Sequence, residues 1–172
     1  PRTEPPTRLL VAVWTDLQIP AQLDRIEASL SQETEETSAA RPLDPNGQDQ
    51  PVVLELDLGF LDRLGPVDLL LVGRAGGFVV VQRRAILPRL PPGTSALALT
   101  LEARCAGRAC DPGWTCIRGV CARADVPAES LAGSLEELPP DPLRTVVAGR
   151  RVGSTCTSVA DCEDGDPCTI DI

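Results

Sequence analysis

Apolar and polar positions alternate with a period of two through much of residues 7–104, the mark of strands with one buried face. In Leu23–Gln32, Ile26, Ala28 and Leu30 fall on one side, with Arg25, Glu27, Ser29 and Ser31 on the other. Pro51–Leu58 sets Val52, Leu54, Leu56 and Leu58 against Glu55 and Asp57. Ser95–Glu102 sets Leu97, Leu99 and Leu101 against Ala98, Thr100 and Glu102. A helical period would carry Glu27 or Glu55 into the core, so strand is the reading for all three. Leu9–Trp14 and Val67–Val72 are apolar more continuously. They fit central strands covered on both faces, or strands whose outer face meets another protein.

Turn chemistry punctuates these runs. Val67–Val72 and Phe78–Gln82 flank Gly73-Arg74-Ala75-Gly76-Gly77, whose glycines supply the positive φ of a short hairpin. Pro91-Pro92-Gly93 marks a second tight turn. Trp14 and Phe78 lie in predicted strands and are expected in the core. Gln32–Gln50 is polar and acidic with turn residues, and reads as a long exposed loop. Six or seven strands at sandwich-like spacing, with no convincing amphipathic helix, predict an all-β fold. It is an antiparallel sandwich of immunoglobulin-like or transthyretin-like topology over residues 7–104. A domain of that length buries roughly two-thirds of its unfolded surface, enough for a core without covalent help.

The chain changes character after Arg104, because glycine, cysteine and charge replace the alternation. All seven cysteines, Cys105, Cys110, Cys116, Cys121, Cys156, Cys162 and Cys168, lie in this last part, and histidine is absent. That excludes a mixed Cys/His zinc site, and the spacing of the first four differs from paired C-x2-C zinc modules. Disulfide knots in an oxidising compartment are the remaining reading. Residues 105–121 form the first knot; an alternating pairing, Cys105–Cys116 with Cys110–Cys121, is preferred among the three possible. Residues 122–155 read as a proline-rich connector, with a short helix over Ser130–Leu138 and a strand over Leu143–Ala148. Residues 156–172 begin a second cysteine-rich unit, and the odd thiol is expected to pair with a cysteine beyond Ile172. Pro1 reads as a post-cleavage or first ordered position, since the sequence contains no methionine and no apolar run long enough for a signal peptide or a transmembrane segment.

Charge narrows the function. A net charge of −9 repels phosphate backbones, so nucleic acid is an unsuitable partner. All 16 basic residues are arginine, a bias that points to a high-GC genome. Without histidine a Ser-His or Cys-His pair cannot form, and Gly73–Gly77 lacks the lysine and helix of a phosphate loop. A non-enzyme is the expectation. Trp114 or Arg118 could make the first knot a receptor-binding knob, against the plainer reading of pure stabilisation. Arg83-Arg84 could grip an acidic partner, or be a solvated strand end. Asp161, Glu163, Asp164, Asp166 and Asp171 could offer oxygen ligands to calcium, although their order is not that of an EF-hand and a turn explains Asp164–Pro167. No cofactor is otherwise implied.

Two resemblances rest on these motifs. Cys162-Glu163-Asp164-Gly165-Asp166-Pro167-Cys168-Thr169-Ile170-Asp171 resembles the slime-mould CTDC repeat of extracellular-matrix proteins, with Glu163 where Asp is usual. The layout of Leu9–Ile26, Leu90–Thr94 and Cys105–Cys121 is similar to a type of myxobacterial surface protein or lipoprotein. They imply a secreted, matrix or surface setting in a high-GC Gram-negative bacterium, and name no activity. The leading expectation is a non-catalytic structural or interaction protein, a subunit of a surface assembly or filament joined through exposed strand edges, with copies of itself or other surface proteins as partners. A ligand-binding adhesin or receptor module, and an accessory domain of a larger secreted enzyme, are the alternatives.

Overall fold

The structure, a computed structural model, describes residues 8–33, 35–45, 50–59 and 65–139. Cys156, Cys162 and Cys168, the five acidic residues of the calcium expectation, the strand expected over Leu143–Ala148 and the CTDC-like segment lie outside them. Seven strands form two sheets: β1 (Arg8–Thr15), β2 (Arg25–Gln32), β3 (Glu35–Pro42), β4 (Val52–Asp57), β5 (Val67–Ala75), β6 (Phe78–Leu87) and β7 (Thr94–Leu101). Sheet A has the order β4-β1-β7 and sheet B the order β3-β2-β5-β6. A small hairpin, β8 (Trp114–Ile117) with β9 (Val120–Arg123), follows. The strand pairs are antiparallel with one exception among the described residues: β1 and β7 run parallel, Val11 opposite Leu97.

Alternation explains the core. Leu9, Val11 and Val13 of β1, Ile26, Ala28 and Leu30 of β2, and Leu69 and Leu71 of β5 are fully buried between the sheets. Leu97, Leu99 and Leu101 of β7 and Leu54 and Leu56 of β4 stand beside the β1 residues on sheet A and belong to the same cluster. Most are flanked by a more polar or more exposed position, so one face of each sheet buries leucine and valine; on the other face of sheet A, Ala12 and Ala96 are also buried. Fully burying one such side chain contributes roughly 1.5–3 kcal/mol, which makes this set the main source of stability.

Several expectations change. Glu35–Pro42 is a strand, not a loop: it pairs with β2 along its whole length, Ala39 opposite Ala28. Its exposed residues outnumber its half-buried ones, as an edge strand tolerates, so periodicity has little apolar signal to detect. Trp14 is half-buried and, by alternation with Val13, sits on the outer face of sheet A. Phe78 is 79% exposed at the β5–β6 turn. Glu102 is buried where alternation set it outward, because the knot folds over it. Ser130–Leu138 forms no α-helix; a 3-10 turn, Ala128–Ser130, ends where the expected helix would begin. Gly76 and Gly77 have the positive φ of the turn, but Gly73 lies in β5 for a different reason. A Cβ on it would come within 2.6 Å of Leu23 Cδ1 and 2.8 Å of Val81 Cγ1.

Candidate functional site

The knot is joined to the sandwich along the free edge of β6. Cys105 bridges Cys116 and Cys110 bridges Cys121, the alternating pairing. Cys105 and Cys116 are buried within the same apolar cluster as the sheet residues. Main-chain groups of β6 that would otherwise face solvent are taken in turn by the following segment. The Gly107 N–H donates to the Val80 carbonyl at 2.9 Å, and the Arg84 N–H donates to Thr115 Oγ1 at 2.8 Å. The Ile86 N–H donates to the Ala124 carbonyl at 2.8 Å and its carbonyl accepts from the Val126 N–H at 2.9 Å. The chain then crosses to sheet A, where Ala96 and Ala132 exchange two hydrogen bonds, 2.8 and 2.9 Å. Residues 124–132 are therefore a strap closing the β6–β7 side of the sandwich.

A half-buried arginine and the buried Glu102 lie beneath this junction. Arg83 has the inward parity of Val81 and Ala85, and its guanidinium reaches Thr100, donating to Oγ1 at 2.5 Å and to the carbonyl oxygen at 3.3 Å. The Thr100 hydroxyl donates to Glu102 Oε1 at 3.1 Å, which also accepts the Arg118 N–H at 3.2 Å. Burial lowers the Arg83 pKa from its ordinary value, and the nearby Glu102 charge partly restores it. Arg84, by contrast, points outward and grips Asp68 through Nε and Nη2; that hydrogen-bonded pair raises its pKa. Neither arginine is the free strand-end cation that the sequence suggested.

Because the knot overhangs sheet B, a groove of about 410 Å³ lies between them. Its floor is the outer face of three adjacent strands: Ser29 and Ser31 of β2, Asp68 and Leu70 of β5, Gln82 and Arg84 of β6. The residues alternate with core positions, so every floor side chain is outward by strand parity. The facing wall is the knot loop from Arg108 to Pro112 together with Trp114. Trp114 lines the groove and is 41% exposed. Asp68 and Arg84 neutralise each other, and Arg108 and Asp111 bring one further charge of each sign. The side chains of Ser29, Ser31 and Gln82 make no hydrogen bond within the described residues.

Trp114 and Arg118, both expected on one knob, stand at opposite ends of β8: Trp114 lines the groove, while Arg118 occupies the β8–β9 turn with φ 53° above Glu102. Sequence reasoning missed the groove floor, since serines and a glutamine on outward strand positions look like ordinary solvated surface. Among the described residues no helix is long and apolar enough to cross a membrane. Two disulfides suit an oxidising, extracellular environment. Comparison with family models, curated proteins and solved structures finds no match for this chain.

Proposed function

We propose that this chain is a non-catalytic, extracellular binding module of the cell surface, with the groove between sheet B and the knot as its ligand site. The observation that carries this reading is the groove itself: a concavity of about 410 Å³ in the size range of small-ligand sites, with uncommitted polar side chains and one part-exposed indole. A sandwich that holds loops over one sheet face is a rigid platform for such a site. The myxobacterial lipoprotein and CTDC resemblances support a secreted, matrix or outer-surface setting in a high-GC Gram-negative bacterium. Within the sandwich class, an immunoglobulin constant-type domain groups its first, second, fifth and fourth strands in one sheet. Here the third strand joins the second, fifth and sixth, which favours the transthyretin-like alternative.

A polymer built through sheet edges has less support. The knot and strap occupy much of the β6 edge, and the strap takes the main-chain groups of Ala96 on the β7 edge. On the other side β3 and β4 carry Glu35, Glu36, Glu55 and Asp57, and Arg41 caps the Val53 carbonyl at 3.1 Å. Acidic edges of this kind repel a second copy.

Beads coated with the full chain are expected to capture material from the extracellular matrix of the producing bacterium. Trp114→Ala and Ser29→Leu chains, with unchanged circular dichroism, are expected to lose it. Capture indifferent to both substitutions would remove the groove as the binding site.

A further inference from the structure

Resting on that reading, we propose that the groove takes a neutral carbohydrate, a short oligosaccharide whose pyranose rings lie over the indole of Trp114 with their hydroxyls on the strand floor. Sugars present two chemistries at once: faces of C–H groups that gain dispersion contact on an aromatic ring, and rims of hydroxyls that both donate and accept. The groove offers a partner to each. Trp114 supplies a ring that is neither buried nor fully solvated. Ser29, Ser31 and Gln82 supply two hydroxyls and an amide, groups that can themselves donate or accept, and none is engaged within the described residues. The Asp68–Arg84 pair sits among them, held in place by the Arg84 main chain on Thr115.

Three other ligand classes fit less well. An extended peptide is recognised mainly by adding a strand to a sheet edge. The β6 edge beside the groove already has its main-chain groups at Val80, Arg84 and Ile86 taken. An anion would need surplus positive charge, but the two arginines of the lining are matched by two aspartates, in a chain of net charge −9. An apolar ligand would be set on a floor in which Leu70 is the one aliphatic side chain, the others being polar or charged. A polar, uncharged ligand with apolar faces is what remains.

A glycan array probed with the full chain, covering neutral, uronic-acid and sialylated or sulfated oligosaccharides, tests this, followed by calorimetric titration of the bound sugars. The expected result is binding of neutral oligosaccharides that persists at high salt. Trp114→Ala is expected to weaken it tenfold or more, about 1.4 kcal/mol, and Ser29→Leu to do the same from the strand floor. Gln82→Ala keeps the groove open and is expected to give a smaller loss. If Trp114→Ala unfolds, Ser29→Leu and Gln82→Ala carry the test. Binding confined to anionic glycans, abolished by salt and by Arg108→Ala, would overturn the neutral assignment. An array without a bound sugar, while bead capture still depends on Trp114 and Ser29, would overturn the carbohydrate class and leave the binding module standing. Bead capture that ignores both residues would overturn both.

Discussion

The Arg84 main-chain N–H donates to the Thr115 side-chain hydroxyl at 2.8 Å, joining the exposed edge of a strand to a residue 31 positions later in the knot. Thr115 is buried, so its oxygen is the acceptor that keeps this edge group from being orphaned under the knot. The same contact fixes the knot over sheet B, and so fixes the groove. Stability and site geometry share one hydrogen bond.

Thr115→Val keeps the shape of the side chain and removes the acceptor. A buried donor left without a partner costs about 1–3 kcal/mol. Urea unfolding should show a loss in that range for Thr115→Val and a clearly smaller one for Thr115→Ser, which retains the hydroxyl.

The two disulfides close loops of the same length, each spanning 11 positions. In the chain-entropy account each stabilises by about 3 kcal/mol. Their burial differs: Cys105 and Cys116 are 2% and 5% exposed in the core, whereas Cys121 lies at the surface. The paired serine substitution of Cys110 and Cys121 should cost close to the entropic amount. The same change at Cys105 and Cys116 should cost more, because it also leaves hydroxyls in an apolar cluster. Equal melting-temperature losses for the two double variants would contradict this placement of the knot.

Leu99 and Phe78 make a matched pair of opposite expectation. Leu99 is 4% exposed in the core, and Leu99→Ala should cost about 2–5 kcal/mol. Phe78 is 79% exposed, and Phe78→Ser should fall within about 0.5 kcal/mol of the parent. Denaturant midpoints of the two variants check both.

Gly73→Ala should destabilise by about 1–3 kcal/mol through overpacking. Its new methyl would press on Leu23 and Val81, both buried and without room to withdraw. Gly76→Ala meets no neighbouring atom, so its cost comes from the φ of +56° alone. A Gly73→Ala, Leu23→Ala double variant should recover part of the first loss, measured as a coupling energy in a double-mutant cycle.

Beneath the knot, Glu102→Gln should lower stability more than Arg83→Met. The glutamine removes the charge that offsets the buried guanidinium and weakens the acceptor for Thr100 and Arg118. The methionine removes the desolvated charge itself, and replacing a buried ionic group by an apolar one of similar length is often neutral or stabilising. Thermal melts that ranked the two variants the other way would mean that Arg83 is a net stabiliser through its Thr100 contacts.

Sequence by itself determined the strands with a sharp two-residue alternation, because Leu54, Leu56 and Leu99 each alternate with more exposed positions that are polar or smaller. It also placed the cysteine-rich segment outside that pattern, since covalent bonds rather than periodicity hold such a segment. Tertiary structure decided the rest. β3 is a strand because β2 offers it a full ladder, and its own side chains carry little of that information. Phe78 is exposed because the β5–β6 turn projects it past the sandwich, a matter of where the hairpin ends rather than of its hydrophobicity. Glu102 is buried and Ser29, Ser31 and Gln82 line a groove because the knot folds back along β6. That return path is set by hydrogen bonds between residues far apart in sequence, and a local pattern of polar and apolar positions holds no trace of it.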